Sequence, residues 1–190
     1  MIRIGLLGDI GSGKSFIANN FGHPVFNADT EVGKLYRKNK KIFVRLNKIL
    51  PEYFHSFPID KKDVSKAILA SDLNLKKIVK IIHVEIRKKL LLFLKKNKRK
   101  KILILDIPLL LENKLNKKKD ILIFIQSKKS EILQRLRKRE NFNQKLLNKF
   151  KKIQLPLDYK KKKSQFVIKN NFIKKSINND IKNILKKISK

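Results

Sequence analysis

Residues 8–15, Gly8-Asp9-Ile10-Gly11-Ser12-Gly13-Lys14-Ser15, satisfy the pattern G-x-x-x-x-G-K-[ST] at every fixed position. Few features restrict a fold so tightly, because the pattern works only between a buried strand and the first turn of a helix. Both flanks comply. Ile2-Arg3-Ile4-Gly5-Leu6-Leu7 is short and mostly apolar, as a parallel strand buried on both faces requires. Phe16-Ile17-Ala18-Asn19-Asn20-Phe21 carries apolar residues at helical spacing. Glycines let successive N–H groups of such a loop converge on an anion at the positive end of a helix dipole. Gly8, Gly11, Ser12 and Gly13 then form a phosphate cradle, with Phe16 just inside the helix. Lys14 can reach β- and γ-phosphates, and the Ser15 hydroxyl can ligate Mg²⁺. The stretch predicts a nucleotide-phosphate site.

The rest of the chain alternates strands with helices. His23 to Asp29 reads as a short second strand ending in a carboxylate, and Thr30 to Tyr36 as a helix that Asp29 or Thr30 could cap. Ile42 to Leu50 has helical spacing and stops at Pro51; Glu52 to Asp60 reads as a loop. Asp60 or Asp63 can cap a helix at 64–69, and a longer helix runs from about Leu73 to Lys96. The block 42–97 is too large for a simple crossover, which suggests an inserted lobe for an acceptor substrate. Ile102-Leu103-Ile104-Leu105-Asp106 is a buried strand with its acid at the C-terminal edge, the place of a Walker B aspartate. Residues 107–113 turn and enter a short helix. A strand at 120–125, helices at 129–139 and 141–154, a basic run at 160–163, a strand at 165–168 and a helix at 173–188 complete the reading. Such alternation predicts an α/β fold with a mostly parallel sheet covered on both faces, and a ligand crevice at the strand C-termini.

Composition removes several classes. The chain has 190 residues, enough for one domain with an added lobe, and 42% are hydrophobic. It has no cysteine, which excludes a disulfide framework and a thiolate metal site. The first residues lack the order of a secretory leader, and no apolar run is long enough to span a bilayer. The expectation is a cytoplasmic protein with no membrane partner. A net charge of +34 points toward polyanions. Yet 41 of the 49 basic residues are lysine and they are spread along the whole chain, which also abounds in Asn and Ile. Those three residues share A/T-rich codons, so the charge reads as biased composition on a solvated surface, with no specific nucleic-acid partner. Its field would still collect phosphorylated substrates.

Among nucleotide-driven classes, a GTPase needs N-K-x-D, and Asn116-Lys117-Lys118-Lys119-Asp120 has one residue too many. Nor does Asp106-Ile107-Pro108-Leu109 carry the glycine of D-x-x-G. No transport-ATPase signature is present, and the chain is short for a helicase. A kinase for a small acceptor is left. Phosphoryl transfer needs mainly positioning and charge neutralisation. Asp29 can orient and deprotonate an acceptor hydroxyl, or can simply cap a helix. Arg139 can clamp phosphates from a lid, or can sit solvated at a helix end. Asp106 can hold a metal through water or merely end its strand. His83 is by default a core or surface residue.

The ordered set of motifs resembles the dephospho-CoA kinase family over nearly the whole chain. Ile4 to Ser15 matches the family's I-G-L-T-G-G-I-G-S-G-K-S, and Asn27-Ala28-Asp29 its D-A-D. Ile82-His83-Val84 matches L-H-P, Pro108-Leu109-Leu110-Leu111-Glu112 matches P-L-L-x-E, and Arg139-Glu140 the R-D before the lid. Gln154 to Lys160 and Ser164 to Asn170 match Q-M-P-L-x-x-K and A-D-F-V-I-x-N. The resemblance implies a P-loop kinase fold with a five-stranded parallel sheet in the order 2-3-1-4-5. It divides the single domain into a core (1–36, 101–139 and 164–190), a CoA-binding lobe (42–97) and a lid (140–163). It implies ATP- and Mg²⁺-dependent phosphorylation of the ribose 3′-hydroxyl of dephospho-CoA, the last step of coenzyme A synthesis. Asp29 would be the catalytic carboxylate, Lys14 and Arg139 the phosphate ligands, and His83, Pro108 and Leu109 part of the acceptor site. Ser15 and Asp106 would serve the metal.

Departures from the family pattern bear on efficiency. Asp9 replaces a loop glycine, Phe16 a Ser or Thr, Asn27 the first carboxylate of D-A-D, and Val84 a proline. Lys160 to Lys163 stand where lid arginines are usual, keeping charge but losing bidentate geometry. The rival readings are a nucleoside or nucleoside monophosphate kinase, and a basic nucleic-acid binder with a relic loop. A monomer or weak homo-oligomer is expected.

Overall fold

The structure is a computed structural model and describes residues 1–140 and 142–188. Five strands, β1 (Ile2–Gly8), β2 (Val25–Asn27), β3 (Ile102–Asp106), β4 (Ile121–Gln126) and β5 (Phe166–Lys169), pair in parallel in the order β2-β3-β1-β4-β5. The order that the family resemblance implies is the one observed. Side chains alternate across each strand, and here both faces are apolar. Ile4, Leu6, Ile104, Ile123 and Ile125 face one side, where they join Ile17 and Ala18 of α1 (Lys14–Asn20) and Ile177, Ile181 and Ile184 at the C-terminal end of the chain. Leu7, Leu103, Leu105, Leu122 and Phe124 take the alternate positions and are buried as well. Parallel register aligns the strand C-termini on one edge, pairing Gly8 with Ile125 and Asn27 with Asp106.

The sheet belongs to a unit made of Met1–Asn27, Asn97–Phe142 and Gln154–Lys190. A second unit comprises Ala28–Lys96 and Asn143–Ile153. It contains α2 (Ala28–Lys38), α3 (Lys40–Ile49), α4 (Lys61–Ala70), α5 (Asp72–Lys96) and, after α6 (Lys129–Arg137) of the first unit, α7 (Gln144–Lys152). The first unit also holds α8 (Leu157–Lys162) and α9 (Lys174–Ile188). Buried Leu75, Ile78, Ile82, Ile86 and Leu90 give α5 its apolar stripe at helical spacing. Asn39 caps α3 through the Ile42 amide, and Asp60, not Asp63, caps α4 through the Lys62 amide. Lys149 of α7 pairs with Asp72 at the start of α5 and holds its carboxyl below the usual range.

Four sequence expectations need correcting. β2 stops at Asn27, and Asp29 lies in the first turn of α2 together with Glu31, where acidic side chains favour the helix dipole. Residues 108–114 form consecutive turns instead of a short helix, ending at Lys114 with φ 51°. The basic run at 160–163 belongs largely to a helix, α8, in which Lys160 is fully buried while Lys161 to Lys163 are exposed. The helix expected from Asn141 begins at Gln144, capped by Asn143; Asn141 itself lies outside the described residues. Asp120 serves the scaffold: its carboxylate pairs at 2.8 Å with buried Arg3 and accepts the Lys117 amide. Burial pushes its pKa up against both partners. Among the described residues no helix is long and apolar enough to cross a membrane.

Candidate active site

β1 runs straight into the glycine loop, and the loop into α1. Gly13 shows why glycine is needed there. Its φ is 89°, and a Cβ would collide with the Asn170 amide and lie 3.2 Å from the Phe172 ring. The loop is braced from behind. The Ser12 carbonyl accepts a hydrogen bond from Asn170 Nδ2 (2.7 Å), just past β5, and another from Ser127 Oγ (2.9 Å), just past β4. Asn170 also accepts the Phe172 amide (2.8 Å). Three strand ends thereby fix the curvature of one loop.

Lys14 is 8% exposed, and its Nζ donates to the Gly8 carbonyl (3.2 Å) and the Asp9 carbonyl (2.7 Å). The ammonium is thus held over the loop, where a phosphate in the cradle would meet it. Asp9 Oδ1 accepts the Ile10 amide at 2.7 Å. Its carboxylate is therefore turned onto the loop backbone and occupies one of the loop's own donors. The Ser12 hydroxyl is buried with no hydrogen-bond partner among the described residues.

At the start of α1 the Ser15 hydroxyl is exposed and accepts a long hydrogen bond from Asn27 Nδ2 (3.4 Å). The same amide donates to Asp106 Oδ2 at 2.6 Å. One hydroxyl from the start of α1 and one carboxylate from the end of β3 are therefore gathered by a single neutral side chain. Both are hard oxygen donors, as Mg²⁺ prefers, and Mg²⁺ typically takes one or two protein ligands with phosphates and water completing its octahedron. The donor set fits that ion. No group of three His, Asp or Glu residues with metal-holding geometry occurs among the described residues.

The remaining expected residues sit as follows. Arg139 is exposed just beyond α6, its amide bonded to the Leu136 carbonyl. Pro108 and Leu109 are half-buried in the turns that follow β3. Phe16 is 42% exposed in the first turn of α1. In the second unit, Asp29 is exposed in the first turn of α2, two residues past Asn27. His83 is half-buried in mid-α5; desolvation, then the charge of Arg87 one turn on, lowers its pKa below the ordinary histidine value.

Sequence reasoning placed Asn170 only as the last residue of a family motif and missed Ser127; the bracing roles were out of sight because a bond to a carbonyl 158 or 115 positions away has no local signature. It also missed Arg135, whose guanidinium lies 3.5 Å from the centroid of the Phe172 ring. Phe172 has φ 61°, an uncommon conformation for a bulky residue, and its ring lies against Gly13. The Arg135–Phe172 stack thus forms a flat wall beside the phosphate loop. Both residues were visible in the sequence, but neither sits in a fixed position of the loop pattern.

Comparisons with known proteins agree with one another. Residues 2–175 match the family model described as Dephospho-CoA kinase. A Dephospho-CoA kinase of Wolbachia sp. subsp. Brugia malayi is 37% identical, the match covering 98% of this chain and 97% of the relative. TT1252 from Thermus thermophilus has a similar fold, with TM-score 0.74 at 24% identity over 98% of this chain and 95% of that one. Dephospho-CoA kinase from Campylobacter jejuni follows with TM-score 0.61 at 22% identity, covering 98% and 96%.

Proposed function

The chain belongs to the dephospho-CoA kinase family, and from that premise we propose that it transfers the γ-phosphoryl group of ATP to the ribose 3′-hydroxyl of dephospho-CoA, yielding coenzyme A and ADP. The observation that carries the chemistry is the convergence of Lys14, Ser15, Asn27 and Asp106 at the mouth of a braced glycine loop. A transferred phosphoryl group spreads charge over its oxygens, and positioned cations and N–H donors stabilise that charge without reorganising. Lys14 and the loop amides hold the β- and γ-phosphates. Ser15 directly, and Asp106 at its side, would hold Mg²⁺, which supplies further neutralisation of the phosphates when bound. The Arg135–Phe172 stack offers a flat, cationic face on which the purine of the donor can lie.

Asp29 acts in this reading as the general base. It takes the proton from the acceptor hydroxyl as that oxygen bonds to the γ-phosphorus; the bond to the β-phosphate oxygen breaks, and ADP leaves. Arg139, exposed just beyond α6, clamps the phosphates. Pro108, Leu109 and His83 contribute to the acceptor site, where a half-buried neutral imidazole can hydrogen-bond without adding charge. The reaction requires a compartment that supplies ATP, and this reading places it in the cytoplasm.

The test is product analysis with Mg-ATP and a panel of acceptors. Coenzyme A formed from dephospho-CoA, with ADP in equal amount, is the expected result. Phosphorylation of nucleosides or nucleoside monophosphates in preference to dephospho-CoA would overturn the acceptor assignment while leaving the kinase chemistry standing.

A further inference from the structure

Two motifs that the reaction chemistry does not use meet inside the first unit. Glu112 lies within the turns after β3, and Gln154 and Lys160 flank the start of α8. Lys160 Nζ lies 2.7 Å from Glu112 Oε1 and donates to Gln154 Oε1 at 3.1 Å. Glu112 Oε1 also accepts the Leu155 amide at 2.9 Å. The lysine side chain is 0% exposed and the glutamate 10%. Glu112 Oε2 is buried with no hydrogen-bond partner among the described residues, so the carboxylate depends on Lys160 for its compensation. Buried pairs of this kind contribute little net stability over well-packed apolar side chains, whereas removal of one member leaves an uncompensated charge. Stability alone therefore does not account for the pair; geometry can.

What the pair holds is the segment carrying Pro108 and Leu109. That segment is all turns: the Asn113, Lys114 and Leu115 amides bond back to the Leu109, Leu111 and Leu110 carbonyls, local bonds that do not tie it to the sheet. Side chains on either side of Leu111 anchor it to its surroundings. Fully buried Leu110 fills the notch left by Gly5 of β1, where a Cβ would sit 2.5 Å from Leu110 Cδ2. Two residues later Glu112 is tied to α8, which itself packs on β1. Pro108 and Leu109 stand just ahead of these two anchors, half-buried, between Asp106 and the notch.

We infer that Glu112 and Lys160 are positioning residues for the acceptor: their buried pair sets the Pro108–Leu109 turn at the height where dephospho-CoA must lie. This rests on the function proposed above. The pair touches no reacting atom and acts only through the turn. Its loss therefore affects the acceptor and spares the donor, because the glycine loop is braced separately by Asn170 and Ser127.

The test compares Glu112→Gln, Lys160→Met and the double variant Glu112→Leu/Lys160→Met by steady-state kinetics and thermal melting. The single variants are expected to raise KM for dephospho-CoA by about tenfold or more, with KM for ATP within about twofold, since small misplacements at a site carry large kinetic costs. The double variant, free of any uncompensated charge, is expected to melt close to the wild type yet keep the raised acceptor KM. A double variant with wild-type KM for dephospho-CoA, or variants whose two KM values rise together, would overturn the inference. Wild-type protein that ignores dephospho-CoA but phosphorylates another acceptor would instead overturn the function on which it rests.

Discussion

Asn27 and Asp106 are paired across β2 and β3, and the Asn27 amide donates to Asp106 Oδ2 at 2.6 Å while the same nitrogen lies 3.4 Å from Ser15 Oγ. The amide does what a second carboxylate could not do without a cation: it fills the space beside Asp106 with a donor. In the family pattern an aspartate stands at that position, and here a neutral residue supplies the bridge.

Asn27→Asp would set two acceptor-only groups at hydrogen-bond distance, so that one must take up a proton or the pair must bind a cation. The variant should melt at lower temperature than the wild type in EDTA and recover more than the wild type when Mg²⁺ is added. Thermal melting in both buffers checks this. An equal Mg²⁺ response in both proteins would count against Ser15 and Asp106 as the metal's side of the site.

Asp9 places a negative charge on the phosphate loop and engages the Ile10 amide. Asp9→Gly frees that donor and removes the charge. KM for ATP at low salt should fall by about fivefold, the factor carried by ~1 kcal/mol of repulsion across ~4 Å of water-like dielectric. The difference should shrink as salt is raised. Titration of ATP at two ionic strengths measures both.

Asn170→Ala removes the donor from the Ser12 carbonyl and the acceptor from the Phe172 amide. Leaving such groups unpaired costs about 1–3 kcal/mol, so chemical denaturation should show a loss of that size. KM for ATP should rise while KM for dephospho-CoA stays nearly constant.

His83 gives a pH dependence with a definite sign. Its folded-state pKa lies below the ordinary value, chiefly through desolvation and then through Arg87. The folded state therefore favours neutral imidazole. Its contribution to stability is fully present above about pH 6.5, the unfolded value, and is lost as pH falls through the depressed folded one. Denaturation at pH 7.5 and at pH 5 should show a larger drop for wild type than for His83→Asn, the carboxylates being common to both.

Much of this was legible in the sequence, for physical reasons. The β1–loop–α1 unit writes itself locally: an aliphatic run, glycines where φ is positive, and a helix start within twenty residues. Ile102 to Asp106 was equally plain, because a strand buried on both faces can only be apolar until it ends. The end of β2 was less so. Extended residues run into Asn27, but Ala28-Asp29-Thr30-Glu31 suits a helix N-terminus better than a strand, and the helix wins. The resemblance marked Lys160 as a motif position, but its burial was hidden. A run of four lysines looks solvated, and only a glutamate 48 positions earlier makes one of them a core residue. Bracing by Asn170 and stacking by Arg135 were hidden for the same reason, since both depend on partners brought near by the sheet order alone.

The most direct test of the central claim follows label from γ-³²P-ATP into coenzyme A, for wild type and Asp29→Asn, with ATP binding measured in parallel by calorimetry. Loss of a general base costs roughly 10²- to 10⁴-fold in rate, so the variant should bind ATP like the wild type and label dephospho-CoA slower by that factor. An Asp29→Asn protein that transfers label to dephospho-CoA at the wild-type rate would contradict the account.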